Sequence, residues 1–208
     1  MGVNLQKGQA VSLTKANNGN KLSKVTMGLG WDAYVWEEKR SGGFLGLGGK
    51  KTGERVKVER DVDLDASCVT MDENGTILET VYFGNLKNNN QSIVHTGDNR
   101  TGDGDGDDEQ IRVDLDSLPA NVKTVVFTVN AFCGVTFNDV HNSYCRLLDN
   151  NGKEIVKFPM DSSGNHTAMI MAKVVRQANG DWEFTAIGEK ASGRTVRDLS
   201  ESVQSIVR

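Results

Sequence analysis

The amino-acid sequence predicts an all-β fold, a two-sheet β-sandwich with a short C-terminal α-helix. Three observations support this prediction. Apolar and β-branched residues alternate with a period of two through most of the chain, as they do in half-buried strands. Asn-Gly sequences separate several of these runs, where hairpins would turn. Apolar residues follow a helical period only near the C-terminus, in residues 195–207.

The predicted strands are spread along nearly the whole chain. In order they are 10–14, 25–31, 62–71, 110–115, 124–132, 144–148, 154–158, 167–175 and 181–188. Hairpin turns are predicted at 73–75, 150–152 and 179–180, where Asn and Gly tolerate a positive φ. Short strands separated by such turns are typical of a sandwich or a barrel.

One helix is expected, at the C-terminal end. Thr195 and Asp198 resemble an acidic variant of the capping box that begins a helix. The apolar positions behind them keep the helical period, and we expect the helix to close one end or face of the sandwich. These positions are Val196, Leu199, Val203, Ile206 and Val207.

Length and composition favour a single folded domain over residues 1–208, with a net charge of only −4. The absence of a basic excess argues against a nucleic-acid partner. No apolar run is long enough for a signal peptide or a membrane span, so no membrane insertion is expected. Cys68, Cys133 and Cys145 lie in apolar runs at no zinc-like spacing, which indicates buried, reduced thiols.

A glycine-rich segment, 41–53, is expected to be a surface loop insertion. It resembles a phosphate-binding P-loop, but Gly49-Lys50 is followed by Lys51 where that motif needs Ser or Thr. No strand–helix pair flanks it, so a nucleotide site is not favoured, and the role of the segment stays open.

The segment 97–109, GDNRTGDGDGDDE, concentrates carboxylates among glycines. Its acidic residues repel one another, while its glycines let the backbone turn sharply and bring carbonyl oxygens inward. Calcium takes six to eight oxygen ligands in a flexible geometry, whereas zinc and copper prefer the His and Cys that this segment lacks. The composition therefore predicts a calcium site. The spacing does not match an EF-hand, because Arg100 and Asp103 stand where that loop needs a ligand and a glycine.

A second acidic run strengthens this prediction. In a strand, Asp61, Asp63 and Asp65 would share one face and alternate with an apolar core face. A solvated strand face explains the pattern equally well. If the strand lies beside the acidic segment, however, the combined charge would suit one or two calcium ions.

The chain resembles the TerD family of tellurium-resistance and stress proteins. The resemblance rests on the acidic segment and on motifs that follow the family's order over essentially the whole chain: GLGWDA (28–33), DLDAS (63–67), VYFGNL (81–86), VHTGDN (94–99), VDLDSLP (113–119), VHNSYCRLLD (140–149) and GDWEFTAIGE (180–189). It implies a cytoplasmic, calcium-binding β-sandwich from bacteria or phages, linked to tellurite and chemical stress, without established catalysis.

The resemblance also implies a set of metal-region residues. They are Asp63, Asp65, Asp98, Asn99, Thr101, Asp103, Asp105, Asp107, Asp108 and Glu109. Asp103 stands where family members often have Glu, and its shorter side chain could replace a bidentate ligand by a water-mediated one.

Three functions remain open from sequence. The first is a non-catalytic calcium-binding stress module, in which calcium orders the acidic segment for recognition of a ligand or partner. The second is a phosphoester hydrolase with an acidic two-metal site. The third is a scaffold that assembles with sister stress-resistance proteins in the presence of calcium. The acidic segment has no general base, and His95 beside it is expected to be structural. Trp36 is the best candidate for an interface residue, while Trp31 and Trp182 are expected in the core.

Overall fold

The computed structural model describes residues 2–41, 50–59, 62–98, 106–132, 135–160 and 164–206. Two β-sheets dominate this part of the chain, and the predicted all-β sandwich with a short C-terminal helix is confirmed.

The strand bounds are as follows. The first sheet contains β1 (Val3–Asn4), β3 (Lys24–Ser41), β4 (Lys50–Glu59), β7 (Ile93–His95), β8 (Glu109–Asp114), β10 (Val140–Leu148) and β11 (Glu154–Pro159). The second contains β2 (Ala10–Ser12), β5 (Leu64–Met71), β6 (Ile77–Val81), β9 (Thr124–Ala131), β12 (Ala168–Arg176) and β13 (Trp182–Ala191). In the first sheet the strand order is β1-β11-β10-β3-β8-β7, with β4 paired to β3. In the second sheet the order is β2-β13-β12-β9-β5-β6. All pairings are antiparallel except that of β1 with β11.

The predicted hairpin turns are confirmed. Gly75, Gly152 and Gly180 each have a positive φ, of 78°, 76° and 80°. They connect β5 to β6, β10 to β11 and β12 to β13. Glycine adopts this conformation without the steric cost that a Cβ would add.

Helices contribute little. A single turn, α1 (Leu13–Ala16), follows β2, and short 3₁₀ segments cover Phe137–Asp139 and Val196–Leu199. The last 3₁₀ segment leads into α2 (Ser200–Ser205). The predicted C-terminal helix is therefore present, but its first turn is 3₁₀, its α-helical part ends before Ile206, and Val207 lies outside the described residues. As expected, the Asp198 carboxylate accepts hydrogen bonds from the N–H groups of Arg194 and Thr195. In the described ranges, no helix combines the length and apolarity that a membrane crossing needs.

The hydrophobic core has two layers. The larger lies between the sheets and contains Trp31 and Trp182, as predicted. The smaller lies on the outer face of the second sheet, where Val196, Leu199 and Val203 cover part of it. The predicted buried thiols are confirmed for Cys68 and Cys145, while Cys133 lies outside the described residues.

The hairpin of β3 and β4 extends beyond the sandwich. From Tyr34 onward β3 pairs with β4 alone, and Trp36 on this hairpin is 45 % exposed. Residues 50–53, expected to belong to the glycine-rich loop, instead begin β4. The glycines and lysines of this stretch obscured its strand pattern, and residues 42–49 lie outside the description.

Candidate metal centre

The predicted metal residues that the structure describes lie where the edges of the two sheets meet. β6 pairs only with the second half of β5, from Cys68 to Met71. The edge of the first half of β5 is therefore open to β8 of the first sheet, and the two strands are in contact. This contact places the start of β5 beside the end of the acidic segment, which is the arrangement that would combine their charges.

Three carboxylates converge at this edge. Asp63, Asp65 and Asp98 each offer an oxygen, and these oxygens all lie within 4.8 Å of one another. Asp98 is exposed, whereas Asp63 is 7 % and Asp65 is 4 % exposed. A solvated strand face is therefore the wrong explanation for these two aspartates. Asp61 lies outside the described residues.

The environment of Asp65 opposes a negative charge. Burial and the neighbouring charges of Asp63, Glu109 and Asp98 raise the pKa of Asp65 from 3.8 to about 8. Its Oδ2 atom is buried and has no hydrogen-bond partner in the described chain. A carboxylate in such a place either keeps its proton or needs a cation.

Glu109 connects the two sheets. Its Oε2 accepts a hydrogen bond from the backbone N–H of Ala66, at 2.6 Å. The same oxygen lies 3.4 Å from Nε2 of His95, and both side chains are fully buried. His95 Nδ1 accepts a hydrogen bond from Gly97 N–H at 3.2 Å, and Nε2 faces Glu109. His95 therefore makes the structural hydrogen bond expected of it, at the start of the acidic segment.

Asp107 points away from the three-carboxylate group. Its Oδ1 lies 2.7 Å from Nε of Arg146 on β10, and its Oδ2 accepts from Gln110 at 3.1 Å. The carboxylate occupies the space above Gly28, where a Cβ would lie 2.1 Å from Oδ2. The first glycine of the GLGWDA motif is therefore needed for this ion pair.

Asp108 and the neighbouring backbone are fastened to β3. The N–H of Asp108 donates to the carbonyl of Leu29, and its Oδ2 accepts from the N–H of Trp31 at 2.9 Å. Burial is the main cause that raises the pKa of Asp108. Tyr144 donates to the carbonyl of Gly106 at 2.7 Å above Gly30, which has no Cβ to obstruct it.

The predicted metal residues thus fall into three groups. Asp63, Asp65 and Asp98 form the cluster, and Glu109 adjoins it. Asp107 and Asp108 bind protein groups elsewhere. The remaining predicted residues, Asn99, Thr101, Asp103 and Asp105, lie outside the described residues.

The donor set suits a hard divalent cation. The cluster consists of carboxylate oxygens, and neither His nor Cys contributes an atom to it. Calcium and magnesium prefer such ligands, and calcium tolerates irregular geometry with more protein oxygens. The Oδ2 atom of Asp65 is buried without a hydrogen-bond partner. A bound cation would offset the free-energy cost of burying it.

Comparison with known proteins gives a consistent result. The TerD domain family matches residues 1–202. Tellurium resistance protein TerZ of Serratia marcescens is 42 % identical over 99 % of this chain and 100 % of its own length. Stress response protein SCP2 of Bacillus subtilis is 39 % identical over 96 % and 98 % of the two chains. The crystal structure of a TerD homologue from Streptomyces coelicolor superimposes with a TM-score of 0.67 at 22 % identity, covering 88 % and 98 %. That structural likeness concerns the fold.

Proposed function

Because the chain belongs to the TerD domain family, we propose that it is a calcium-binding stress-response module linked to tellurite and chemical resistance. Its relatives include proteins named for tellurium resistance and for stress response, which supports the resistance part of this proposal. The calcium part has a separate basis in the acidic residues of the chain itself.

In this proposal Asp63, Asp65 and Asp98 hold the ion. Three carboxylates supply three to six of the oxygens that calcium takes, so further ligands are needed. The sequence offers Asn99, Thr101, Asp103 and Asp105 for that role, with water completing the shell. A bound ion would supply positive charge between the carboxylates of Asp63, Asp65 and Asp98.

The observation that carries the proposal is the state of Asp65. The Asp65 carboxyl is 4 % exposed, one of its oxygens has no hydrogen-bond partner, and it has three acidic neighbours. Ionising such a group without a cation is costly. Divalent binding offsets this repulsion and satisfies the oxygen. If Asp65 had only a structural role, an uncharged side chain of similar size would serve equally well.

We further propose that the module acts by binding and has no catalytic activity. The histidine beside the cluster, His95, is fully buried and directs its two nitrogens to Gly97 and Glu109. It therefore has no access to a substrate bound at the cluster. This arrangement disfavours the alternative of a two-metal phosphoester hydrolase, which needs a base within reach of its nucleophile.

Calcium would control recognition, because a partner that covered the free cluster would bury uncompensated charge. The proposed partners are sister stress-resistance proteins or a small ligand, and the proposed compartment is the cytoplasm. The buried free thiols of Cys68 and Cys145 suit that reducing compartment.

Thermal unfolding tests the proposed function directly. Saturating calcium should raise the melting temperature of chelator-treated protein, because a ligand at a hundredfold excess over its Kd adds about 2.7 kcal/mol. Asp65→Asn should abolish the shift. Asp116→Asn removes one charge from an exposed surface pair with Lys21 and should leave it intact. Equal melting temperatures of the wild type in calcium and in chelator would contradict the proposal.

A further inference from the structure

Asn130 lies directly opposite Asp65, on the strand next to the cluster. β5 and β9 are antiparallel, and their register pairs these two residues. Opposite residues of such a pair project from the same face, with Cβ atoms about 5 Å apart. This face is the outer one of the second sheet, because the adjacent residues Ala66 and Val129 belong to the core between the sheets. Asn130 is therefore the side-chain neighbour of Asp65 on that face.

The amide of Asn130 has a buried oxygen without a partner. The side chain is fully buried, and within the described ranges its Oδ1 accepts no hydrogen bond. Burying an amide oxygen in this way is costly, and native proteins satisfy nearly all such atoms. The Oδ2 of Asp65 is also buried and unpartnered in these ranges. Two neighbouring acceptors cannot satisfy each other, so a cation or a proton must lie between them.

The orientation of this amide is set on the side away from Asp65. β9 lies between β5 and β12. Nδ2 of Asn130 donates to the carbonyl of Gly193 at 3.1 Å, and the same carbonyl accepts at 3.2 Å from Oγ1 of Thr167, just before β12. The oxygen and the nitrogen of a side-chain amide diverge from one carbon atom. Because Nδ2 is directed towards β12, Oδ1 is directed towards β5 and Asp65.

We propose that Oδ1 of Asn130 is a ligand of the calcium ion and makes the site prefer calcium over magnesium. The inference rests on the calcium site proposed above. Amide oxygens are normal ligands of calcium. Asn130 would reach the ion from the buried side of Asp65, whereas Asp98 reaches it from the exposed side. A bound ion would then satisfy the unpartnered oxygens of Asn130 and Asp65 together.

A neutral oxygen suits this position. Asp65 already has acidic neighbours in Asp63, Asp98 and Glu109, and a further carboxylate would add to their repulsion. An amide oxygen adds a ligand without adding charge. Calcium takes six to eight oxygens and gains from the extra ligand, whereas magnesium takes a rigid octahedron and usually keeps several waters. Loss of Asn130 should therefore weaken calcium binding more than magnesium binding.

The test titrates calcium and magnesium by calorimetry into chelator-treated wild type and three variants. Asn130→Ala should weaken calcium binding about tenfold or more, at least the loss typical of a residue that supports a metal ligand. Asn130→Asp loses the donor to Gly193 but keeps an oxygen in place of Oδ1, so it should retain most of the calcium affinity. Thr167→Val is the matched control, because it removes two other hydrogen bonds to Gly193 and no ligand. It should bind calcium like the wild type.

Terbium luminescence gives a readout that a purely structural role would not change. Terbium is a hard cation that occupies oxygen sites of the calcium type, and its lifetimes in ordinary and heavy water count the waters bound to the ion. Asn130→Ala should add about one bound water, because solvent takes the position that Oδ1 leaves. Thr167→Val should leave the water count unchanged.

Three results would overturn the inference. One is wild-type calcium affinity in Asn130→Ala. Another is an equal loss of affinity in Asn130→Ala and Asn130→Asp, since the bond to Gly193 would then explain both. The third is an unchanged water count in Asn130→Ala, which would show that Asn130 accepts a hydrogen bond from protonated Asp65 instead. Thermal unfolding in chelator verifies that each variant is folded. If calcium does not bind the wild type, the proposed function itself fails, and this inference with it.

Discussion

Asp107 and Arg146 form an ion pair on the outer face of the first sheet, with 2.7 Å between Oδ1 and Nε. The Asp107 side chain is fully buried and the Arg146 side chain is 26 % exposed. The guanidinium of Arg146 compensates the charge of Asp107. The ion pair therefore holds the end of the acidic segment against β10.

Replacing Asp107 should therefore weaken the fold more than metal binding. Asp107→Asn leaves the guanidinium of Arg146 without its closest carboxylate, and should lower the free energy of unfolding by about 1–3 kcal/mol. Urea unfolding in chelator measures this loss. Calcium titration of the same variant should still show binding, whereas normal stability combined with lost calcium binding would contradict the assignment.

Gly28 should be indispensable only while Asp107 is present. A Cβ at this position would lie 2.1 Å from the Asp107 carboxylate, so Gly28→Ala should destabilise by about 1–3 kcal/mol. In an Asp107→Ala background the contact is gone and the same substitution should cost much less. A double-mutant cycle by urea unfolding measures this coupling. Strict additivity of the two substitutions would show that the carboxylate does not occupy the space above Gly28.

The metal-free protein should lose stability as the pH rises from about 5 to about 8. The folded-state pKa of Asp65 is raised from 3.8 to about 8, so in this window the folded chain retains a proton that the unfolded chain has lost. Since the folded state then binds up to one more proton, the free energy of unfolding falls with pH, by at most about 1.4 kcal/mol per unit.

Thermal unfolding in chelator across this pH window measures the effect, with Asp65→Asn as the comparison. The variant should show a flatter profile, and near pH 8 it should be more stable than the wild type. Parallel profiles of the two proteins would show that Asp65 does not titrate in this window.

Calcium binding should release a proton below about pH 8. The ion needs Asp65 in its ionised form, so the retained proton leaves as calcium enters. Calorimetric titrations near pH 6.5 in buffers of different ionisation enthalpy should give apparent enthalpies that differ in proportion to about one proton. Identical enthalpies in all buffers would mean that the site is already ionised.

Much of this fold follows from local sequence patterns. Alternating runs and Asn-Gly turns locate most strands, because each signal depends only on residues close in the chain. β4 was not predicted, because its composition of Lys, Gly and Glu is typical of a loop. Its strand conformation depends on pairing with β3. Trp36 was named from sequence as the best candidate for an interface residue, and it is exposed, but the protruding hairpin that carries it was not predicted.

The site was only partly predictable, because its geometry depends on residues that are remote in sequence. A regular strand would place Asp107 and Glu109 on one face, yet a bend at Gly106–Asp108 turns Asp107 outward while Glu109 points to Ala66. The partners that decide these orientations, Arg146 and Tyr144, are remote in sequence. Acidic composition alone does not distinguish a carboxylate that can bind a metal ion from one that forms an ion pair with arginine.

The most direct test of the account is a calorimetric calcium titration of chelator-treated wild type, Asp65→Asn and Asp116→Asn. The wild type and Asp116→Asn should bind calcium with the same affinity, and Asp65→Asn should show no saturable binding. Magnesium should bind the wild type more weakly, because it favours a rigid octahedral shell. If Asp65→Asn bound calcium as tightly as the wild type, the cluster of Asp63, Asp65 and Asp98 would not be the metal centre.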